Sequence, residues 1–268
     1  MRRHLSFSCE GAELAATLDD APGTAGLLIV SGGNEVRSGA HRGLAMLAAA
    51  LAAAGFPVLR FDRRGIGDSG GSNGGFRSSE PDIIAALAAF RKAAPGVTRI
   101  AAFGNCDAAT ALALLPESGG LDALILSNPW VIETPGDTPT PQAVRARYRR
   151  KLADPAALID LLRGRVDLKK LGRGLAIAGK GTALGPLARD MAQGLAGFAG
   201  RVHILAASRD ATSSAFMGAW ESEMFKALRA SPAVKLHRID SGSHSYAGEA
   251  EQQWLRERVL AVLAALAD

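Results

Sequence analysis

The sequence predicts an α/β protein: a mainly parallel sheet flanked by helices, with an inserted helical cap late in the chain. Three observations carry this. Short apolar runs alternate with longer amphipathic stretches over residues 26–127 and again over 202–267, the rhythm of strands and helices around a parallel sheet. Between these stretches, over residues 133–200, the rhythm breaks. The apolar runs also end in loops rich in Gly, Ser and Asp, and in open α/β sheets the carboxyl ends of strands are where ligands gather.

The elements follow in order. Residues 4–9 and 12–18 read as a leading pair of strands around the turn Glu10-Gly11. Residues 26–30 form a short buried strand that runs into Ser31, Gly32, Gly33 and Asn34. Residues 41–54 read as a helix stopped at Gly55. Val58–Phe61 is the next strand, and the turn 62–69 after it uses Gly65 and Gly67 for tight backbone. Residues 79–94 read as a helix, with Ser79 or Glu80 as cap and Pro81 in the first turn. Residues 99–103 are a strand leading into Gly104, Asn105 and Cys106, and residues 122–127 are the strand after that. Past Asn128, Pro129 and Trp130 the insert begins. It is Pro-rich at first (Pro135, Pro139, Pro141), then helical, with Asp154-Pro155 as a helix start and a short apolar run at 175–178. Strand 202–207, helix 214–228, strand Val234–Ile239 and helix 248–267 close the chain. The expected division is a core of residues 1–132 and 200–268 around a cap of residues 133–199.

Bulk properties exclude several classes. The chain has 268 residues, 48% hydrophobic and 21% charged, the balance of a soluble globular protein. No tract reaches the ~18 apolar residues of a membrane span. Met1, Arg2, Arg3, His4 and Leu5 lack the apolar core of a secretion signal, so a cytoplasmic location is expected. The two cysteines, Cys9 and Cys106, make a weak case for a disulfide. The net charge of +5 comes without an aromatic-rich binding pattern, so no nucleic-acid partner is expected. No Cys/His cluster has zinc spacing, and neither a metal nor a cofactor is implied.

The chemistry centres on Cys106. An apolar strand stops at Gly104, one reactive side chain sits at the turn, and a helix of small residues begins with Asp107 and Ala108. That is the nucleophile elbow, with Cys in place of the usual Ser. Gly104 and Ala108 are small because a sharp strand-to-helix turn forces the flanking positions together. The backbone N–H of Asp107 is expected to form half of an oxyanion hole. The other half is expected from Gly33 or Asn34. The helix start after Cys106 favours a thiolate there.

A nucleophilic cysteine needs a base and a group to orient the base. In the elbow fold the chain order is nucleophile, acid, histidine. Asp210 follows strand 202–207 and His244 follows strand Val234–Ile239, each on a loop at a strand's carboxyl end. The expected roles are proton acceptance by His244 and tautomer control by Asp210. Rivals for the acid are Asp240, Glu133 and Asp137. His41 and Arg37 are candidates for substrate contact, although His41 fits a structural helix start equally well. Cys9, in a strand without such surroundings, reads as a small core residue. The basic run 145–151 reads as a solvated cap helix. Its sharper reading is that one or two of its charges attract a carrier-linked, acidic or phosphate-bearing acyl group.

With these residues in place the chain resembles the α/β-hydrolase superfamily. The resemblance covers nearly all of it: the elbow, the loop of Gly32 and Gly33, the turn 62–69 and the ordered set Cys106, Asp210 and His244. Within the superfamily, residues 31–42 and 104–109 resemble the exosortase A system-associated hydrolase 1 group. That group is encoded in bacterial exopolysaccharide and protein-sorting loci, and the resemblance implies a hydrolase-like role there. The departure from most of the superfamily is Cys for Ser, shared with dienelactone hydrolases. Thiol chemistry points to a small acyl substrate, a thioester or activated ester, that passes through an S-acyl intermediate to water or another acceptor. The competing expectation is a non-catalytic binding or scaffold protein on the same fold.

Overall fold

The computed structural model describes residues 1–115, 120–132 and 185–268. The basic run 145–151, the apolar run 175–178 and the acid candidates Glu133 and Asp137 lie outside the described residues, as does most of the expected cap.

Eight strands form one sheet: β1 (Arg2–Cys9), β2 (Ala12–Asp19), β3 (Ala25–Val30), β4 (Val58–Phe61), β5 (Arg99–Asn105), β6 (Ala123–Ser127), β7 (Arg201–Ala207) and β8 (Val234–Ile239). Their order is β1-β2-β4-β3-β5-β6-β7-β8. β2 pairs antiparallel with both β1 and β4, and the pairs from β4 through β8 are parallel. Parallel strands covered on both faces bury every side chain, and β3, β4 and β6 are buried along their whole length.

Alternation along the strands divides the core in two. On β3, Leu28 and Val30 join one apolar cluster while Leu27 and Ile29 join the other, because successive side chains point to opposite faces. Helices α1 (Gly43–Ala53) and α7 (Glu249–Ala267) cover one face through Leu51, Val259 and Leu263. Helices α2 (Glu80–Ala93), α3 (Asp107–Ala113), α4 (Pro186–Gly197) and α5 (Ala211–Trp220) cover the other through Phe90, Leu112, Met191 and Phe216. Helix α4 lies inside the stretch 133–199 expected as cap, yet Ala188, Met191 and Leu195 pack into the core. The core therefore resumes by Pro186.

Two helix boundaries differ from expectation. The helix expected from residue 41 begins at Gly43, because His41 (φ 52°) and Arg42 (φ 61°) are both left-handed and end a short 3-10 turn, Ala40–Arg42. The helix expected over 214–228 starts earlier and is broken into α5, a 3-10 turn at Glu223–Phe225 and α6 (Lys226–Ala230). The Arg229 guanidinium donates to the carbonyls of Trp220 and Ser222, two acceptors that the break leaves without helical partners. Phe216, Trp220 and Phe225 pack together across the break, with ring centroids 5.6–6.0 Å apart.

Candidate active site

The site is built at the carboxyl end of β5. Cys106 joins β5 directly to α3 with φ 61° and ψ −126°. A non-glycine residue there is strained and persists only when its surroundings hold it. Here they do. The Cys106 N–H donates to the Ser127 carbonyl (2.9 Å), and its carbonyl accepts from the Trp130 N–H (3.2 Å). Gly104 makes the turn possible, since a Cβ there would sit 2.7 Å from the backbone of Ala108 and Ala109. Cys106 itself is a free, partly exposed thiol.

The chain brings Asp210 and His244 to this elbow. His244 Nδ1 lies 3.2 Å from Asp210 Oδ1. Hydrogen bonds to Asp210 and then to Cys106 push the His244 imidazole up to about 10, against a smaller opposing effect of burial. Burial raises Asp210, but the His244 hydrogen bond and the Ser213 N–H outweigh it and hold the carboxyl below the usual carboxylate value. The same Ser213 N–H bond (2.8 Å) makes Asp210 the N-cap of α5. One carboxylate thus starts a helix and orients a histidine. The rival Asp240 instead pairs with Arg209 at 3.0 Å.

A buried amide network ties these loops together. Asn128 is fully buried and left-handed, with φ 41°. Its Oδ1 accepts from the Ala207 N–H (2.9 Å), just ahead of Asp210. Its Nδ2 donates to the His244 carbonyl (3.2 Å) and to Asn105 Oδ1 (3.3 Å), beside Cys106. Asn105 Nδ2 donates to the same His244 carbonyl at 3.2 Å. Tyr246 completes the network through Ser127 at 2.9 Å. These residues went unassigned in the sequence reading. The available signal was an Asn placed directly after an apolar strand and before Pro129, since Asn tolerates left-handed backbone better than most residues.

The oxyanion side differs from expectation. The Gly33 N–H donates to Asp107 Oδ1 at 2.6 Å, so the side chain of Asp107 fills the donor expected to face substrate. Arg63 holds the Gly33 carbonyl and lies 3.9 Å from the Asp107 carboxylate. The backbone N–H groups of Asn34 and Asp107 make no hydrogen bond among the described residues. Glu35 follows on the same loop, and burial raises its carboxyl while the Ala40 N–H and the nearby His244 charge lower it.

The two substrate-contact candidates are placed differently from the triad. His41 is exposed on its left-handed turn. The Arg37 guanidinium is held by Asp62, by Asp68 at 2.9 Å and by Thr17 at 3.1 Å, which anchors the loop rather than reaching Cys106. Asp62, fully buried, also accepts from the N–H groups of Arg37 and Asp68. Among the described residues no group of three or more His, Cys, Asp or Glu could hold a metal ion, and no helix is long and apolar enough to cross a membrane.

Residues 23–171 match the family model described as serine aminopeptidase, S33. No curated protein matches the chain in sequence. Solved structures share its fold. An esterase of Pyrococcus furiosus superposes with a TM-score of 0.67 at 16% identity, covering 100% of this chain and 92% of the other. The proline iminopeptidase of Mycobacterium smegmatis does so at 0.62 and 16%, covering 99% of each chain. Est1E of Butyrivibrio proteoclasticus, in a structure with ferulic acid bound, does so at 0.58 and 18%, covering 98% of each chain. The architecture is the α/β-hydrolase fold.

Proposed function

The chain belongs to the serine aminopeptidase S33 family of α/β-hydrolases, and from that premise we propose that it is an acyl-transferring hydrolase whose nucleophile is Cys106. One observation carries the reading: His244 Nδ1 meets the Asp210 carboxylate at 3.2 Å, and both the Asp210 carboxylate and the Cys106 thiol raise the imidazole. Asp210 favours the charged imidazole beside the thiol.

The chemistry follows from that pair. The Cys106 thiolate attacks the carbonyl carbon of a thioester or activated ester. The Asp107 and Asn34 N–H groups receive the developing oxyanion. The bond to the leaving thiol or alcohol breaks, and the leaving group takes the proton from His244. Water, deprotonated by His244, then attacks the S-acyl carbon. The carbon–sulfur bond breaks, a carboxylic acid departs and the thiolate returns. An alcohol or amine in place of water makes the same sequence an acyl transfer. The resemblance of residues 31–42 and 104–109 to the exosortase-associated group supports a role in bacterial exopolysaccharide metabolism, acting on an acyl substrate.

One observation favours a second reading. The Asp107 carboxylate on the Gly33 N–H puts negative charge where the oxyanion develops, as a binding protein with a relic site would tolerate. Intact-mass spectrometry after incubation with acyl-thioesters and activated esters separates the two. An acyl adduct or turnover in the wild type, absent in Cys106→Ala, supports acyl transfer. No adduct and no turnover across the panel, with Cys106 no more reactive than Cys9, establishes the binding-protein reading.

A further inference from the structure

A cavity of about 550 Å³ lies on the α1 face of the sheet, over strands β1, β2 and β4 at one end of the strand order. Its lining is unusual for a surface hollow. Arg2, Arg37, Arg42, Arg60 and His4 all face it, with Asp68 as the single acidic side chain. Register explains the convergence. Thr17 on β2 pairs with His4 on β1 and with Arg60 on β4, so the three project from one face of the sheet as a polar row. Arg37 and Arg42 come from the loop above it and Arg2 from the strand end.

Four guanidiniums meet only three carboxylates here. Asp19 holds Arg2 (2.7 Å) and Arg60 (3.0 Å), while Asp62 and Asp68 hold Arg37. Arg42 makes no ion pair or side-chain hydrogen bond among the described residues, although its left-handed backbone fixes it at the cavity. Arg60 is 97% buried by its relative exposure of 3%. Burial lowers its affinity for the proton, Asp19 partly offsets this, and the Arg2 and Arg37 charges add to the lowering. The Arg60 Nη atoms donate to Asp19 and to the Arg37 carbonyl, but its buried Nε has no hydrogen-bond partner among the described residues, and such a donor is stabilised by an anion that takes it up. The His4 ring, whose Nδ1 meets Thr17 Oγ1 at 3.3 Å, leaves its other nitrogen for the same anion.

We propose that this cavity is an anion site for a phosphate-class group, either a free phosphate or diphosphate or the phosphate of a larger ligand. Guanidinium forks match the paired oxygens of phosphate, and several converging arginines discriminate it from chloride. The site and the elbow are joined by one loop. The loop from Gly32 to Arg42 carries Gly33 and Asn34 at one end and Arg37 and Arg42 at the other, and Arg37 is bound to Asp62 in the turn that follows β4.

The probe is inorganic phosphate and pyrophosphate, titrated against the full chain at constant ionic strength set with chloride. The readouts are thermal unfolding and isothermal calorimetry. The expected result is saturable, one-to-one binding, tighter for pyrophosphate, with a rise in Tm of a few degrees. Arg42→Glu should weaken it by about tenfold or more, since a repulsive carboxylate replaces the uncommitted cation. Arg42→Lys, which keeps the charge and loses the fork, should fall between. A phosphorylated thioester compared with its dephosphorylated form assigns the source: a KM difference abolished by Arg42→Glu identifies the substrate's own phosphate, and equal KM values with retained phosphate binding identify a separate effector. Non-saturable binding, or binding unchanged in Arg42→Glu, overturns the proposal. Both binding readouts are independent of catalysis, so they stand or fall apart from the acyl-transfer reading.

Discussion

The two cysteines of this chain occupy opposite environments, and the contrast bears on the proposal that Cys106 is the nucleophile. Cys9 ends β1, buried under α2, with its Sγ 3.4 Å from Asp82 Oδ1. Burial, then the adjacent Asp82 carboxylate, push its thiol up to about 11. Cys106 ends no strand. It is held between β5 and α3 on strained backbone, partly exposed, against a histidine that is itself charged by Asp210. A carboxylate beside Cys9 opposes the thiolate directly. Near Cys106 the carboxylate of Asp210 acts instead on the His244 ring. Position in the fold decides the chemistry of two identical side chains.

The sharpest break of this comparison is Cys106→Ala. Acylation should vanish and any turnover fall by at least about 10³-fold, since the remaining donors only bind and polarise. Mass mapping checks it, and an adduct on Cys9 in that variant would overturn the contrast. His244→Ala comes next. Alkylation of Cys106 by iodoacetamide near neutral pH should slow by about 10²-fold, while Cys9 stays unreactive until the chain unfolds. Equal slowing at both cysteines would mean a general change of fold.

Asp210→Asn tests the link between ring and carboxylate. The folded-state value of His244, about 10, lies above its usual 6.5. Its stabilising contribution is therefore fully present below about pH 6.5 and is lost as pH rises through about 10. Removing the Asp210 charge should bring the midpoint, followed by the ring-proton NMR shifts of His244, down toward 6.5. The difference in urea midpoint between pH 6 and pH 10 should shrink with it. An unchanged midpoint would show that Asp210 acts only as the cap of α5.

The fold was legible because it is written in short-range patterns. Alternation along β3 separates Leu27 and Ile29 from Leu28 and Val30, and the strands β4 and β8 keep their expected ends. The arrangement at Cys106 was legible for a related reason: an elbow needs small residues at fixed offsets, and Gly104 and Ala108 supply them. What escaped was set by partners distant in sequence. The break after Trp220 depends on Arg229 and on rings packed across it. The occupied Gly33 N–H depends on a carboxylate 74 positions away. Asn128 gathers three loops that no local pattern connects. The pairing of Arg37 with Asp62 depends on a residue 25 positions away.

The smallest expected effect is at Cys9, and it is the most diagnostic of the buried thiol. Cys9→Ala removes one sulfur from a cluster shared with Leu14, Ile83 and Phe61. A change of that size costs about 1 kcal/mol through lost contacts and a small cavity, or roughly 2–4 °C in Tm for a chain of this length. Acyl-transfer kinetics should stay at the wild-type level, because no bond of Cys9 reaches the elbow. The pH dependence separates burial from simple packing. A thiol whose folded value is raised to about 11 from 9.0 contributes stability below about pH 9 that is lost as pH climbs through 11. Wild type should therefore lose more stability than Cys9→Ala between pH 8 and pH 11, and parallel curves would mean that the thiol keeps its ordinary proton affinity inside the fold.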